Sequence, residues 1–314
     1  MSVMMDPSSA LAPQISTSSE ANTSTEMAAP MEGSLPIQPS GGLVPSTEVG
    51  VEATSATGTT PYVYAIGSVE LRSPSLAAEK ELAQVTGQAD VTGLTDSQAL
   101  ATVLQDRQNR YLARQFSWIF TIEGMETYLL TPRDPADMEL LIDSVRPTPS
   151  PADVDVIVGV LGPIAPPEAA NGAALPIVVF DQLYSFDTQS LISSIPTPEG
   201  VSAEEFRPSA EELYRRLTVV ADNAGATDEH RALNYLTVRY ADIYTAAADA
   251  YGRNYSLTAV EAQPSYLSGT RKIVEVVFSF THRQTGVAES SFVRVDVTEE
   301  FPFLVSKLAP FLAH

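Results

Sequence analysis

Three histidines, His230, His282 and His314, are the entire imidazole inventory of the 314-residue chain, and cysteine is absent. An imidazole could serve as general base to a serine nucleophile if a carboxylate oriented it. No Gly-x-Ser-x-Gly turn occurs, however, and Asp228 and Glu229 lie too close to His230 in sequence to face it on a helix. His230 therefore reads as a surface or capping residue. Neither His-Glu-x-x-His nor the spacing of an EF-hand loop occurs, so no metal and no cofactor is expected.

Carboxylates and arginines supply the remaining candidates. Asp153 and Asp155 stand at strand spacing and could act as an acid–base pair or hold a hard cation, but the apolar alternation around them already explains them as a solvated strand face. Basic residues are scarce, which makes the cluster Arg107, Arg110 and Arg114, just ahead of Trp118, the expected binding set. Arg107 and Arg110 are one helical turn apart, and a carboxylate or a peptide terminus could sit between them. Ion pairing with the chain's own acids is the competing explanation. Gly269-Thr270-Arg271-Lys272 lacks the frame of a phosphate-binding loop and reads as a hairpin turn. Proline-rich Gly162–Glu168 reads as a rigid loop, and Tyr62, Tyr64, Phe278 and Phe280 read as core.

Composition narrows the partners. The chain carries 39 acids against 18 bases, a net charge of -21, which opposes phosphate backbones and anionic lipid surfaces. Nucleic acid is thereby disfavoured. The absence of cysteine removes disulfides, thiolate metal sites and cysteine nucleophiles, and fits a reducing, cytoplasmic compartment. The opening residues offer no basic and apolar export signal. The charge-free run 169–180 is interrupted by Gly172 and Pro176 and falls well short of the ~20 residues a membrane helix needs.

The elements that must position these residues divide the chain in three. Residues 1–60 contain no lysine, arginine or aromatic residue and are rich in Ser, Thr, Ala and Pro, which predicts a disordered acidic tail. Order begins at Tyr62. A first unit over 61–198 should hold a strand from Tyr62, helices near 73–84 and 95–108, a hairpin enclosing Trp118, a short helix from Asp134 to Val145, and two further strands. A second unit over 199–314 should hold helices at 203–222 and 228–250, a three-stranded antiparallel meander near 255–263, 271–281 and 288–298, and a terminal helix from about Phe303. Thr227 is the expected cap of the second helix. The fold class is α+β, two packed subdomains with antiparallel sheets and flanking helices.

Four long strings, beginning at Tyr62, Arg107, Asp153 and Asn254, together resemble the two consecutive C-terminal modules of PatG-type cyanobactin maturation proteases, collinearly over about 61–313. In that family a subtilisin-like protease that releases and macrocyclises precursor peptides precedes these modules. Residues 1–60 hold no histidine, so no Ser-His-Asp set is carried over and cleavage is not implied. The resemblance implies a bacterial, cytoplasmic accessory module associated with ribosomal peptide natural-product maturation, or a widespread domain reused elsewhere.

With no convincing catalytic set, the leading expectation is a non-catalytic recognition or scaffold module for a peptide or protein partner. The alternatives are a structural subunit or adaptor of a larger bacterial protein assembly, and a peptide-modifying enzyme built on carboxylates and Arg110 or Arg114.

Overall fold

The first five strands form a closed barrel. In the computed structural model, which describes residues 61–311 except 90, 171, 199 and 221, β1 (Tyr62–Arg72) is followed by α1 (Leu76–Gln88), α2 (Asp96–Gln105) and α3 (Arg110–Ala113). The hairpin β2 (Ser117–Ile122) and β3 (Met125–Pro132), then α4 (Met138–Ser144), β4 (Asp153–Ile164) and β5 (Pro176–Asp187) complete it, in the spatial order β1-β2-β3-β5-β4. The tail expected over 1–60, and His314, lie outside the described residues.

Local signals place the helices. Ser75 caps α1 by accepting the Ala78 N–H at 3.2 Å, and Thr95 with Gln98 forms a reciprocal capping box at the start of α2. Glu123 and Gly124, both at positive φ, turn the β2–β3 hairpin. The barrel is not wholly antiparallel, because β3 and β5 pair in parallel. The chain reaches β5 only after running through α4 and β4, so a tight hairpin between β3 and β5 is not available.

Barrel closure also corrects the reading of β4 as a strand with one wet face. Residues Val154 to Gly159 are buried on both sides, and Asp155 has no exposed surface. Its carboxylate accepts hydrogen bonds from the Val69 N–H and the Ser185 hydroxyl, each at 2.7 Å, and pairs with Arg146 at 3.0 Å. Three donors satisfy this enclosed charge, which makes it a structural tie between β1, β4 and β5.

After α5 (Thr188–Ser194) come α6 (Ala203–Thr218), α7 (Asp228–Arg239) and α8 (Asp242–Gly252). The single helix expected over 228–250 is thus two. Tyr240 adopts an extended conformation between them, and the Tyr244 hydroxyl donates to the Thr237 carbonyl at 2.6 Å, serving one of the carbonyls left open at the end of α7. The break turns Leu233 and Leu236 on one side, and Ile243, Tyr244 and Ala247 on the other, toward one core.

That core lies against a second sheet of β6 (Tyr255–Pro264), β7 (Ile273–His282), β8 (Ala288–Asp296), β9 (Phe303–Leu304) and β10 (Ala309–Pro310). The meander β6-β7-β8 is antiparallel, with Val274, Val276, Phe278 and Phe280 facing the helices. No terminal helix forms among the described residues. The open edge of β8 takes up the following chain instead, pairing Leu304 with Val295 and Ala309 with Phe292. Pro310 is tolerated there because an edge strand needs no N–H on its outer side.

The residues of both sheets pack as one compact unit, in which α7 rests on β1. Asn234 donates to the Tyr64 carbonyl at 2.8 Å, and the Tyr64 N–H donates to the Gly225 carbonyl at 2.9 Å.

Candidate functional site

One face of α7 carries Arg231, Tyr235 and Arg239 at intervals of four residues. Thr227 caps the helix as expected, accepting the His230 N–H at 3.1 Å. This face meets Tyr62 and Tyr64, two residues apart on β1, and the segment 298–302 that follows β8. Two clefts open along the seam.

The first, of about 560 Å³, is lined by Pro61, Tyr62, Thr227, Asp228, Arg231, Lys272 and Glu299. Arg231 is almost wholly enclosed and donates to the Val297 carbonyl at 2.7 Å, the Glu300 carbonyl at 3.2 Å and the Glu299 carbonyl. Its guanidinium lies 5.2 Å from the centre of the Tyr62 ring, and Asp228 approaches it at 3.5 Å. Lys272 pairs with Asp228 at 3.3 Å. Both cations here are held by Asp228, and Arg231 acts as a clasp holding 297–300 against the helix.

The second cleft, of about 320 Å³, is lined by Tyr64, Tyr184, Tyr235, Arg239, Phe301, Pro302 and Val158. Arg239 lies 4.5 Å over the Tyr184 ring, and the Tyr64 and Tyr235 rings meet edge to face at 6.2 Å. The Tyr64 hydroxyl is buried and has no hydrogen-bond partner among the described residues. Burial pushes its pKa well up, with Arg239 pulling the other way. Arg239 itself is exposed, and the groups acting on it are the hydroxyls of Tyr184 and Tyr64, with no carboxylate among them. A planar cation held over an aromatic wall beside a buried hydroxyl is an arrangement that can bind an anion.

The expected set Arg107, Arg110, Arg114 and Trp118 is divided by the structure. Arg107 is exposed on a 3-10 turn over Arg107–Asn109, and Arg110 is taken by Glu139 of α4. Trp118 is 2% exposed, its indole N–H donating to the Ala113 carbonyl at 2.8 Å. Only Arg114 and Trp118 share a cleft, of about 320 Å³, with Pro74, Phe116 and Met138 among its other walls.

His282 accepts the Gln284 and Thr285 N–H groups at its hairpin turn, a local role. Glu300 binds Arg133 at 3.0 Å. Among the described residues no three acidic or histidine side chains gather as a metal-sized group. Tyr64 is buried as expected and Tyr62 is half-buried, and both also stand beside α7. The four-residue recurrence of Arg231, Tyr235 and Arg239 was the signal that could have found the seam.

The class this architecture defines is α+β, a barrel and an open sheet joined through a helical layer. Residues 200–311 match the family model described as PatG C-terminal, so this part of the chain is a PatG C-terminal-like module. A solved structure described as "PatG Domain of Unknown Function" shares the fold with a TM-score of 0.64 and 18% identity, over 81% of this chain and 99% of that one. No curated protein matches the chain. Among the described residues no helix is long and apolar enough to cross a membrane.

Proposed function

We propose that the chain is a non-catalytic recognition module that holds a peptide or protein partner along the α7–β1 seam, as an accessory to ribosomal peptide natural-product maturation. The observation that supports this most directly is the pair of clefts on one face of α7, each with a wall from segment 298–302. Fixed aromatic and polar walls of this kind suit binding with little loss of side-chain freedom. The PatG-like module in 200–311 is the ground for placing that role beside peptide maturation.

Selection of a displayed random-peptide library on the full chain tests the reading. Enriched peptides should lose at least tenfold in affinity on Phe301→Glu, an exposed position on the cleft, and should be recovered with unchanged mass. Failure to enrich, or affinity indifferent to Phe301→Glu, overturns it. A changed peptide mass replaces it with the peptide-modifying enzyme.

A second reading, adaptor in a larger assembly, draws on Tyr266 and Leu267. Both project fully or largely into solvent at the tip between β6 and β7. Sedimentation with a large particle, abolished by Tyr266→Ser with Leu267→Ser, would favour it.

A further inference from the structure

We propose that the cleft formed by Tyr64, Tyr184, Tyr235 and Arg239 is a carboxylate-binding site that anchors an acidic group of a peptide, with an adjoining apolar side chain against the aromatic walls. The inference rests on the recognition reading above and assigns the ligand chemistry to one of its two clefts.

Three observations converge on this ligand. The guanidinium carbon of Arg239 lies 4.5 Å over the centre of the Tyr184 ring, so the cation is held at the cleft wall. A guanidinium edge matches two carboxylate oxygens at once. Arg239 has no acidic partner within ion-pair range among the described residues, as holds also for Arg107, Arg114, Arg207, Arg215 and Arg283; what distinguishes it is its place over a tyrosine ring inside a cleft. Arg110, Arg133, Arg146, Arg253, Arg271 and Arg294 all hold acidic partners.

The second observation is the Tyr64 hydroxyl. Tyr64 lines the cleft at 3% exposure, and its buried hydroxyl has no hydrogen-bond partner of ordinary geometry among the described residues, the neighbouring Arg239 guanidinium acting on it only as a donor. A buried hydroxyl left unused is uncommon, and a ligand oxygen beside Arg239 would supply the acceptor it lacks. Third, Tyr235, Phe301 and Pro302 continue the wall with apolar surface. That surface suits a carbon side chain and gives no second cation for a doubly charged phosphate. A single carboxylate is the anion this arrangement accommodates.

The carboxylate could belong to a peptide C-terminus or to an acidic side chain, and three small probes separate these sources. Ligand-observed NMR titration of the full chain would use N-acetylphenylalanine, its neutral amide, and N-acetyl-Phe-Glu-amide, whose only carboxylate is on the side chain. N-acetylphenylalanine or N-acetyl-Phe-Glu-amide should bind at least tenfold more tightly than the neutral amide, and the tighter of the two identifies the source. Arg239→Gln should erase that preference. Tyr64→Phe should weaken the carboxylate probe several-fold and leave the neutral amide unchanged, with unaltered circular dichroism and melting showing that both variants fold.

Equal binding of acid and amide, or a preference for acid that survives Arg239→Gln, overturns the proposal. If neither probe binds while library-selected peptides still depend on Phe301, the carboxylate assignment fails and the recognition reading stands. If selected peptides also ignore Phe301, both fail.

Discussion

Gly225 lies hard against Tyr64: the Tyr64 N–H donates to the Gly225 carbonyl at 2.9 Å, and a Cβ on Gly225 would come within 2.4 Å of the Tyr64 carbonyl oxygen. Gly225 has a φ of +72°, which a side chain would also strain. The loop before α7 thus reaches the barrel through a position only glycine fills, and the Asn223 carboxamide braces it by accepting the Gly225 N–H at 3.2 Å.

Gly225→Ala should therefore lower unfolding stability by about 2–4 kcal/mol, combining strain with a backbone clash. Gly286, at φ +71° with open space around it, is the control. Gly286→Ala should cost about 1 kcal/mol. Urea midpoints at unchanged slope measure both, and equal effects would sink the close-approach argument.

Asp155→Ala should cost about 3–5 kcal/mol, because it takes the acceptor from the Ser185 hydroxyl and the Val69 N–H and leaves the Arg146 guanidinium with only Asp153 and the Val154 and Phe186 carbonyls. Asp155→Asn keeps one acceptor oxygen and should cost less. A result within a few tenths of wild type for the alanine variant would mean that water enters the barrel and serves these donors.

His230 links stability to pH. Burial lowers its pKa in the folded chain below 6.5, against the opposing pull of Glu229 and Asp222. The unfolded chain then binds the proton more readily, so stability is unaffected above pH ~6.5 and declines as pH falls below it. His230→Gln should flatten the stability profile just below pH ~6.5. A wild-type profile already flat in that window would contradict the assignment; losses at lower pH belong to Asp187, Glu289 and Asp296, whose pKa values are lowered by hydrogen bonds from Ser190, from Tyr255, and from Thr298 and Arg271.

Where a residue's neighbours in sequence decide its conformation, the chain was legible. Alternation from Val274 to Phe280 located β7, and Thr227 announced α7. The hairpin around Trp118 stood where its two apolar runs and Glu123-Gly124 put it. Long-range partners hid the rest. Phe303–Leu304 and Ala309–Pro310 are strands because β8 has an edge to offer, which no local pattern encodes. Asp155 looked solvated because alternation assumes one wet face, and barrel closure removes it. The seam brings together residues from β1, β5, α7 and the segment after β8, so neither Arg239 nor Tyr64 carried a signal of the other.

The tie between Asn234 and Tyr64 sets an order on synthesis. All five barrel strands have been made once Asp187 has emerged, yet the loop and helix that take up the Tyr64 backbone, through Gly225 and Asn234, come later in the chain. Segment 297–300, which Arg231 clasps, comes later still. In a nascent chain halted between β5 and α7, the Tyr235 and Val238 side chains that pack on Tyr64 and Val158 would not yet exist. The ribosome thus delivers the second cleft's floor first and its lid-side wall, Phe301 and Pro302, nearly last.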